Sequence, residues 1–444
     1  QGQPLGGGAG RPARRAGGAH LHTRTRIART LQQYNSLLRP FAQPWCIPFK
    51  DRLLLFQHII RQQRDRDQDG GDVNSAVRVR VRRSQIFDDA LRRLNPLGTD
   101  LRKRIYVVFV NPLTGEDETG IDAGGLFKEL WTTLSGVAFD PNYGLWDVTP
   151  QTHLMYPSAN AHLVHGRDNQ LVLYEFLGRV LGKAMFEGIV VQPNFAHFFL
   201  TKLLGKFSAL SDLASLDEEL FRNLMFLKTY EGDARDLMLN FVVTEETLGV
   251  TREIELCRGG ADLDVTSRNK LRYVYHVANY RLNTKIRPQC AAFLKGLRDL
   301  IPVDWLRMFS ERELQWLISG SDAAIDVDDL RAHTNYTGGY TSLSGGVRKF
   351  WAVVGAFSKE ERSQLLRFVT SCERAPPLGF KALHPPFNVQ WVGGAPQKLP
   401  SASTCFNTLK VSLRWWAESW RWGRCFFFLG GGGGARGLFF FSFF

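Results

Sequence analysis

The chain has 444 residues, of which 44% are hydrophobic, enough to bury a substantial core across about two or three domains. Its formal net charge of +13 sits at the ends: residues 1–104 carry 21 Lys and Arg against 8 acids, residues 411–444 carry four Arg against one Glu, and the stretch between sums to −3. A groove that follows phosphates needs its charge on the fold itself, so solvated basic ends are expected and nucleic-acid binding is not.

In chain order, residues 1–40 are rich in Gly, Ala and Arg and read as a flexible, basic lead-in. The sequence opens on Gln, so it is read as a piece of a longer chain whose targeting signals lie out of view. A helical apolar pattern begins with "QPWCIPFKDRLLLFQHII" (43–60). "VRVRVRR" (77–83) alternates as a strand does, and "RIYVVFV" (104–110) is a second strand. "GIDAGGLFKELWTTLSG" reads as a turn into a helix capped by Asp122, with Leu126, Leu130 and Leu134 on one face. In "YEFLGRVLGKAMFEG", Gly178 and Gly182 lie one turn apart and allow close backbone packing before Gly188 ends the helix. Residues 195–205 and 218–230 predict two more helices, the second with Leu220, Leu224 and Leu227 in line. "LISGSDAAIDVDDL" (317–330) is small, polar and acidic. Beyond it "VRKFWAVVGAF" is helical, and Ser358 with Glu361 forms a capping box for the next helix. Pro376, Pro377, Gly379, Pro385 and Pro386 then break the pattern, and "FNVQWV" and "CFNTLKV" read as short strands. The expected class is α+β: a large, mainly helical lobe, a hinge near 320, and a smaller α/β lobe ending around 410.

Several chemistries lack their signature. There is no GxxxxGK[ST] loop, HExxH, Cys/His cluster or GxSxG, and the glycines of "DAGG" lack the strand–GxGxxG context of a dinucleotide site. No cofactor and no metal are therefore expected. No run of eighteen apolar residues predicts a membrane span. Cys46, Cys257, Cys290, Cys372, Cys405 and Cys425 are scattered without a CxxC pair, which fits a reducing cytoplasm or nucleus. What remains is Cys405, in "KLPSASTCFNTLK" (398–410). On composition alone it is a small buried hydrophobe. A cysteine hydrolase would need a His nearby in space, and His333 and His384 are candidates that the sequence neither places nor excludes.

"LPSASTCFNTLK" resembles the active-cysteine segment of HECT-type ubiquitin-protein ligases. The resemblance continues in order through "GIDAGGLFKELW", "FLGRVLGKAMFEG", "NYRLNTKIRPQCAAFLKGL", "ELQWLISGSDAAIDVDDL", "TNYTGGY", "FWAVVGAFSKEER" and "LLRFVTSCERAPPLGF", covering roughly residues 50–410. "TSCERAPPLGF", "ASTC" and "PFKDRLLLFQ" are most similar to the branch that carries an IQ motif before the HECT domain. The resemblance implies a bilobal HECT domain: an N-lobe over 41–320 that docks a conjugating enzyme, and a C-lobe over 321–410 that carries the catalytic cysteine. It implies that Cys405 accepts ubiquitin as a thioester and passes it to lysines of protein substrates, marking them for degradation. Thr404 and the backbone N–H groups around Cys405 would stabilise the oxyanion, although a β-propensity role for Thr404 is an equal reading. By the same resemblance the conjugating-enzyme groove comprises Leu220, Leu224, Leu227, Tyr230, Met238, Tyr273 and Val277. Gly320, Ser321 and Ala323 would absorb the lobe's swing, though an ordinary surface loop has the same composition.

After Lys410 the resemblance stops. The family continues with Leu-Pro and an amphipathic helix, whereas this chain reads "VSLRWWAESWRWGRCFFFLGGGGGARGLFFFSFF". Lys-Val-Ser can be written in codons that span a splice donor, so 411–444 reads as a translated intron, a divergent low-complexity tail that matches no packed helix period. Two functions follow: a transferase, or a catalytically impaired module that docks the conjugating enzyme without transferring ubiquitin.

Overall fold

A computed structural model describes residues 46–69, 77–111, 114–118, 125–393, 400–411, 424–428 and 438–442. The lead-in at 1–40 and the expected cap Asp122 lie outside them. The chain divides at the Gly70–Gly71 pair into two compact units. That break lies beyond residue 41, where the sequence placed the start of the first lobe.

The described part of the first unit is helix α1 (Phe49–Asp69). The Pro48 carbonyl accepts from the N–H groups of Asp51 and Arg52, and Arg52 Nε donates to the Ile47 carbonyl at 2.8 Å. Its first half carries Leu53 to Phe56 and Ile59–Ile60; its second half, from Arg61, is almost wholly polar.

The second unit opens with β1 (Val77–Arg82) and α2 (Ile86–Leu94), followed by β2 (Ile105–Val110), which pairs parallel with β1. Alternation decides β1: Val79 and Val81 are buried, while the arginines point out to acids. Arg80 pairs with Asp117 at 2.7 Å, Arg82 with Asp89 at 2.6 Å and Arg83 with Glu118 at 2.9 Å. Part of the basic charge expected to be free in solvent is therefore paired locally.

Helix α3 (Gly125–Ala138) buries Leu130, Trp131 and Leu134, and Trp131 Nε1 donates to the Val180 carbonyl at 3.1 Å. The short antiparallel pair β3 (Trp146–Val148) and β4 (Met155–Pro157) leads into α4 (Arg167–Glu187). After α5 (His197–Leu203), helix α6 (Glu218–Thr229) is capped by Asp217, whose carboxylate accepts from the Leu220 N–H at 2.9 Å. The hairpin β5 (Val242–Thr247) and β6 (Val250–Glu255) precedes α7 (Lys270–Asn279). A π-turn over Tyr280–Thr284 then joins α7 to α8 (Arg287–Leu300).

Helices α4 and α8 form the most extensive helix–helix contact. A Cβ on Gly178 would lie 2.0 Å from the Phe293 carbonyl oxygen, and one on Gly296 would lie 1.8 Å from the Glu175 carbonyl oxygen. The close approach expected at Gly178 is thus real, against the Phe293–Leu297 backbone; Gly182 meets Leu300 at 3.1 Å, and Gly296 makes the matching approach from the facing helix. The cost of burying Arg179 in this seam is offset by Glu175 and by Asp299, 2.7 Å away.

Helix α9 (Glu311–Ser319) ends the helical run. The remainder has its own apolar core, drawn entirely from residues 325–411. It comprises α10 (Val327–Ala332), α11 (Gly345–Ala356), α12 (Lys359–Thr370) and a four-stranded sheet. The strands are β7 (Asn335–Thr337), β8 (Asn388–Trp391), β9 (Ser401–Ser403) and β10 (Thr408–Val411), in spatial order β7-β8-β10-β9. The first three neighbours run parallel and β9 is antiparallel to β10. The capping box at Ser358 is present, with Ser358 N donating to Glu361 at 2.7 Å and Glu361 N to Ser358 Oγ at 3.2 Å.

In the Phe-rich tail, Arg424–Phe428 pairs antiparallel with Leu438–Ser442. Consecutive phenylalanines have no helical amphipathic period, but they have high β propensity.

Candidate active site

Cys405 lies not in a strand, as "CFNTLKV" predicted, but in a single 3-10 turn, Thr404–Phe406, between β9 and β10. The reason is Asn407. It adopts a left-handed backbone conformation (φ 47°, ψ 40°), which Asn tolerates better than most residues and which no strand accommodates. Asn407 is fully buried. Its N–H donates to the Thr404 carbonyl at 3.2 Å, its carbonyl accepts from Asn388 N at 2.9 Å, and its side-chain amide donates to the Pro385 carbonyl at 2.5 Å. A rigid residue thus closes the turn, while Phe406 is 49% exposed beside the cysteine. Thr404 is half-buried.

The turn also meets the N-terminal side of the unit. Lys128 of α3 donates to the Thr404 carbonyl at 3.3 Å and to Asn407 Oδ1. Helix α12 also packs against the turn. At its end Cys372 is half-buried, its Sγ 3.6 Å from the Arg374 carbonyl, and burial raises its thiol pKa. His333 is taken up by Asp329: its Nδ1 lies 2.9 Å from the backbone carbonyl and 3.0 Å from the carboxylate. His384 is exposed.

The expected hinge is tied down rather than bare. Gly320 is buried at φ 87°, and a Cβ there would lie 2.8 Å from Arg374 Cβ and 2.9 Å from the Ala375 carbonyl oxygen. Ser321 N donates to that carbonyl at 2.9 Å, and Ala323 N donates to Ser321 Oγ at 3.2 Å. Arg374 pairs with Asp322 at 3.1 Å and donates to Ser319 Oγ at 3.0 Å. Glycine is required here by close approach and positive φ, which a surface-loop reading does not anticipate.

The seven residues expected at the groove separate by burial. Leu224, Leu227 and Val277 are core residues, which corrects their expected role as groove wall. A helical ridge records that one face is covered, and here α6 and α7 cover each other. Leu220, Tyr230 and Tyr273 are half-buried, and Met238 is 92% exposed at φ 50°. The α6 and α7 ends are joined by Lys270 Nζ donating to the Tyr230 carbonyl at 2.5 Å. Phe226, Leu271 and Tyr275 expose large apolar side chains on the same helices, and the sequence reading missed them. For Phe226 and Tyr275 the signal was available: each is an apolar residue off its helix's buried stripe.

Among the described residues no group of three or more His, Cys, Asp or Glu could hold a metal, and no helix is long and apolar enough to cross a membrane.

The family model described as HECT-domain (ubiquitin-transferase) matches residues 132–413, a span that includes the cysteine turn. The chain is 44% identical to E3 ubiquitin-protein ligase UPL6 of Arabidopsis thaliana over 83% of its length, covering 36% of that protein. It is 37% identical to ubiquitin-protein ligase E3B of Homo sapiens over 83% of its length, covering 37% of that protein. It is 36% identical to E3 ubiquitin-protein ligase HUL5 of Saccharomyces cerevisiae, again over 83% of its length, covering 41%. It therefore spans little more than a third of the length of these curated relatives. By its matched span and its identity to these relatives over most of its length, the chain belongs to the HECT-domain (ubiquitin-transferase) family.

Proposed function

We propose that this chain is the catalytic part of an E3 ubiquitin-protein ligase. A conjugating enzyme delivers ubiquitin, Cys405 carries it, and lysines of protein substrates receive it. The observation that carries the reading is family membership over a span containing Cys405, with that residue in a turn closed by a buried, left-handed Asn407. In the first step the Cys405 thiolate attacks the thioester carbonyl carbon of charged ubiquitin. A new C–S bond forms, the bond to the conjugating enzyme's sulfur breaks, and that sulfur leaves as a thiolate. Exchange of one thioester for another is nearly neutral in energy, so neither metal nor nucleotide is called on. In the second step a lysine amine nitrogen bonds to the same carbon, the bond to Cys405 breaks, and the amine proton is released to solvent. Thr404 and the N–H groups of the turn are the nearby donors for the oxyanion of both steps.

The conjugating enzyme docks on the α6–α7 side, where Phe226, Met238, Leu271 and Tyr275 are exposed; aromatic and Met side chains suit an adaptable protein contact. Leu220, Tyr230 and Tyr273 contribute their exposed parts, with Leu224, Leu227 and Val277 beneath as support. Gly320, Ser321 and Ala323 act as the hinge by exchanging the ties described above. The setting is cytoplasmic or nuclear.

The test is incubation of the chain with a ubiquitin-charged conjugating enzyme. The expected result is a ubiquitin adduct that thiol reductant removes and Cys405→Ala abolishes. An adduct that survives Cys405→Ala overturns the assignment of the cysteine. Stable docking without an adduct in the unsubstituted chain identifies the impaired module instead.

A further inference from the structure

We propose that Lys128 is a positioning residue of ubiquitin discharge, latching the cysteine turn onto helix α3 and releasing it during loading. The proposal rests on the function proposed above and names a residue that the cysteine motif does not contain.

Lys128 holds the cysteine turn at two points. Its ammonium reaches the Thr404 carbonyl, immediately before Cys405, and the Asn407 side-chain oxygen, two positions after it. One cation thus brackets the cysteine along the chain. A hydrogen bond from a charged donor is stronger than a neutral one and fixes direction as well as distance.

Both ends of the latch are rigid. On one side, α3 is anchored by buried Leu130, Trp131 and Leu134 and by the Trp131 bond to Val180 of α4. On the other, Asn407 is fully buried and tied to Pro385 and Asn388. A contact between two rigid bodies sets their relative position, whereas one between two mobile side chains would not.

The turn's described neighbours are α3 and α12, whereas α6 and α7 pack on each other and on the turn Leu210–Ser215. In this arrangement the cysteine turn is therefore engaged by a helix other than those offered to the conjugating enzyme. Taking the acyl group from a donor on α6–α7 requires the Lys128 contacts to be given up. Passing it to an amine uses the docked position, where the attacking nitrogen must meet the thioester carbon in a fixed geometry while the Cys405 sulfur departs.

The experiment uses the full chain as Lys128→Met, which keeps the aliphatic stem, as Lys128→Arg, which keeps the cation, and as Asn407→Gly, which keeps the left-handed backbone and removes the acceptor. Hydrogen exchange over residues 400–411 is measured first, without ubiquitin. The expected result is faster exchange in Lys128→Met and Asn407→Gly, with protection restored by Lys128→Arg. Single-turnover loading and discharge to free lysine are then timed separately. Discharge is expected to slow roughly tenfold in Lys128→Met while loading stays within about twofold, with Lys128→Arg recovering most of the loss. Unchanged exchange overturns the latch whatever the enzymology shows. Equal losses in loading and discharge, or no loss in discharge, overturn the positioning role. If the unsubstituted chain forms no thioester, the proposed function falls and the positioning role falls with it, while the exchange data still decide whether the latch exists.

Discussion

Helices α4 and α8 meet backbone to backbone, with glycines removing the side chains that would hold them apart; the C-terminal sheet and helices α10–α12 meet through large side chains such as Tyr340, Phe350, Trp351 and Phe380. The first arrangement tolerates no added atom and needs none. The second depends on volume filled, so it is sensitive to atoms removed. The contrast suits the proposed division of labour: an unyielding platform for a docked enzyme, and a smaller body with its own core that can move as a unit around the cysteine turn.

The largest effect that sharpens this comparison is expected in the smaller core. Trp351→Ala removes a buried indole that also donates to Tyr336 at 2.8 Å, and should cost about 4 kcal/mol. Because the 325–411 core is separate, thioester formation should be lost while conjugating-enzyme binding persists; loss of both in one cooperative melting step would show that the two cores unfold together. Next in size, Gly296→Ala forces a Cβ into the Glu175 carbonyl and should destabilise by about 3 kcal/mol in denaturant titration. Gly136→Ala in α3 is the control. Its Cβ would meet nothing within 4 Å, so the same change should stabilise by about 0.5–1 kcal/mol.

The smallest effect concerns Asp89, which Arg82 holds at a pKa of about 2 through hydrogen bonding and charge. The folded pKa lies below the ordinary carboxylate value near 4, so the pairing stabilises the fold fully above about pH 4 and is lost as pH falls towards 2. Asp89→Asn should therefore lower the melting temperature by a few degrees at neutral pH, and the gap should close in acid. A gap that stays constant with pH would assign Asp89 a packing role instead.

Sequence and structure part company at identifiable places. The alternation of β1, the capping box at Ser358 and the glycines of α4 were legible because each depends on neighbours within a few residues. The Leu220–Leu224–Leu227 ridge was legible as a ridge only. A period of 3.6 records that a face is covered, not by what, and two of its members proved to be core while the exposed apolar residues Phe226 and Tyr275 went unnoticed. Cys405 was singled out by a family motif rather than by any spacing of its own.

The sequence by itself determined the family, the α+β class, about half of the helices and the identity of the candidate nucleophile, since all of these are written in local pattern or contiguous motif. Only the tertiary structure decided that Gly178 meets the Phe293 backbone, that Gly320 is wedged against Arg374 and that Lys128 reaches Asn407 across 279 positions. Those pairings are set by how packed bodies meet in space, and close approach between residues so far apart leaves no periodic trace along the chain.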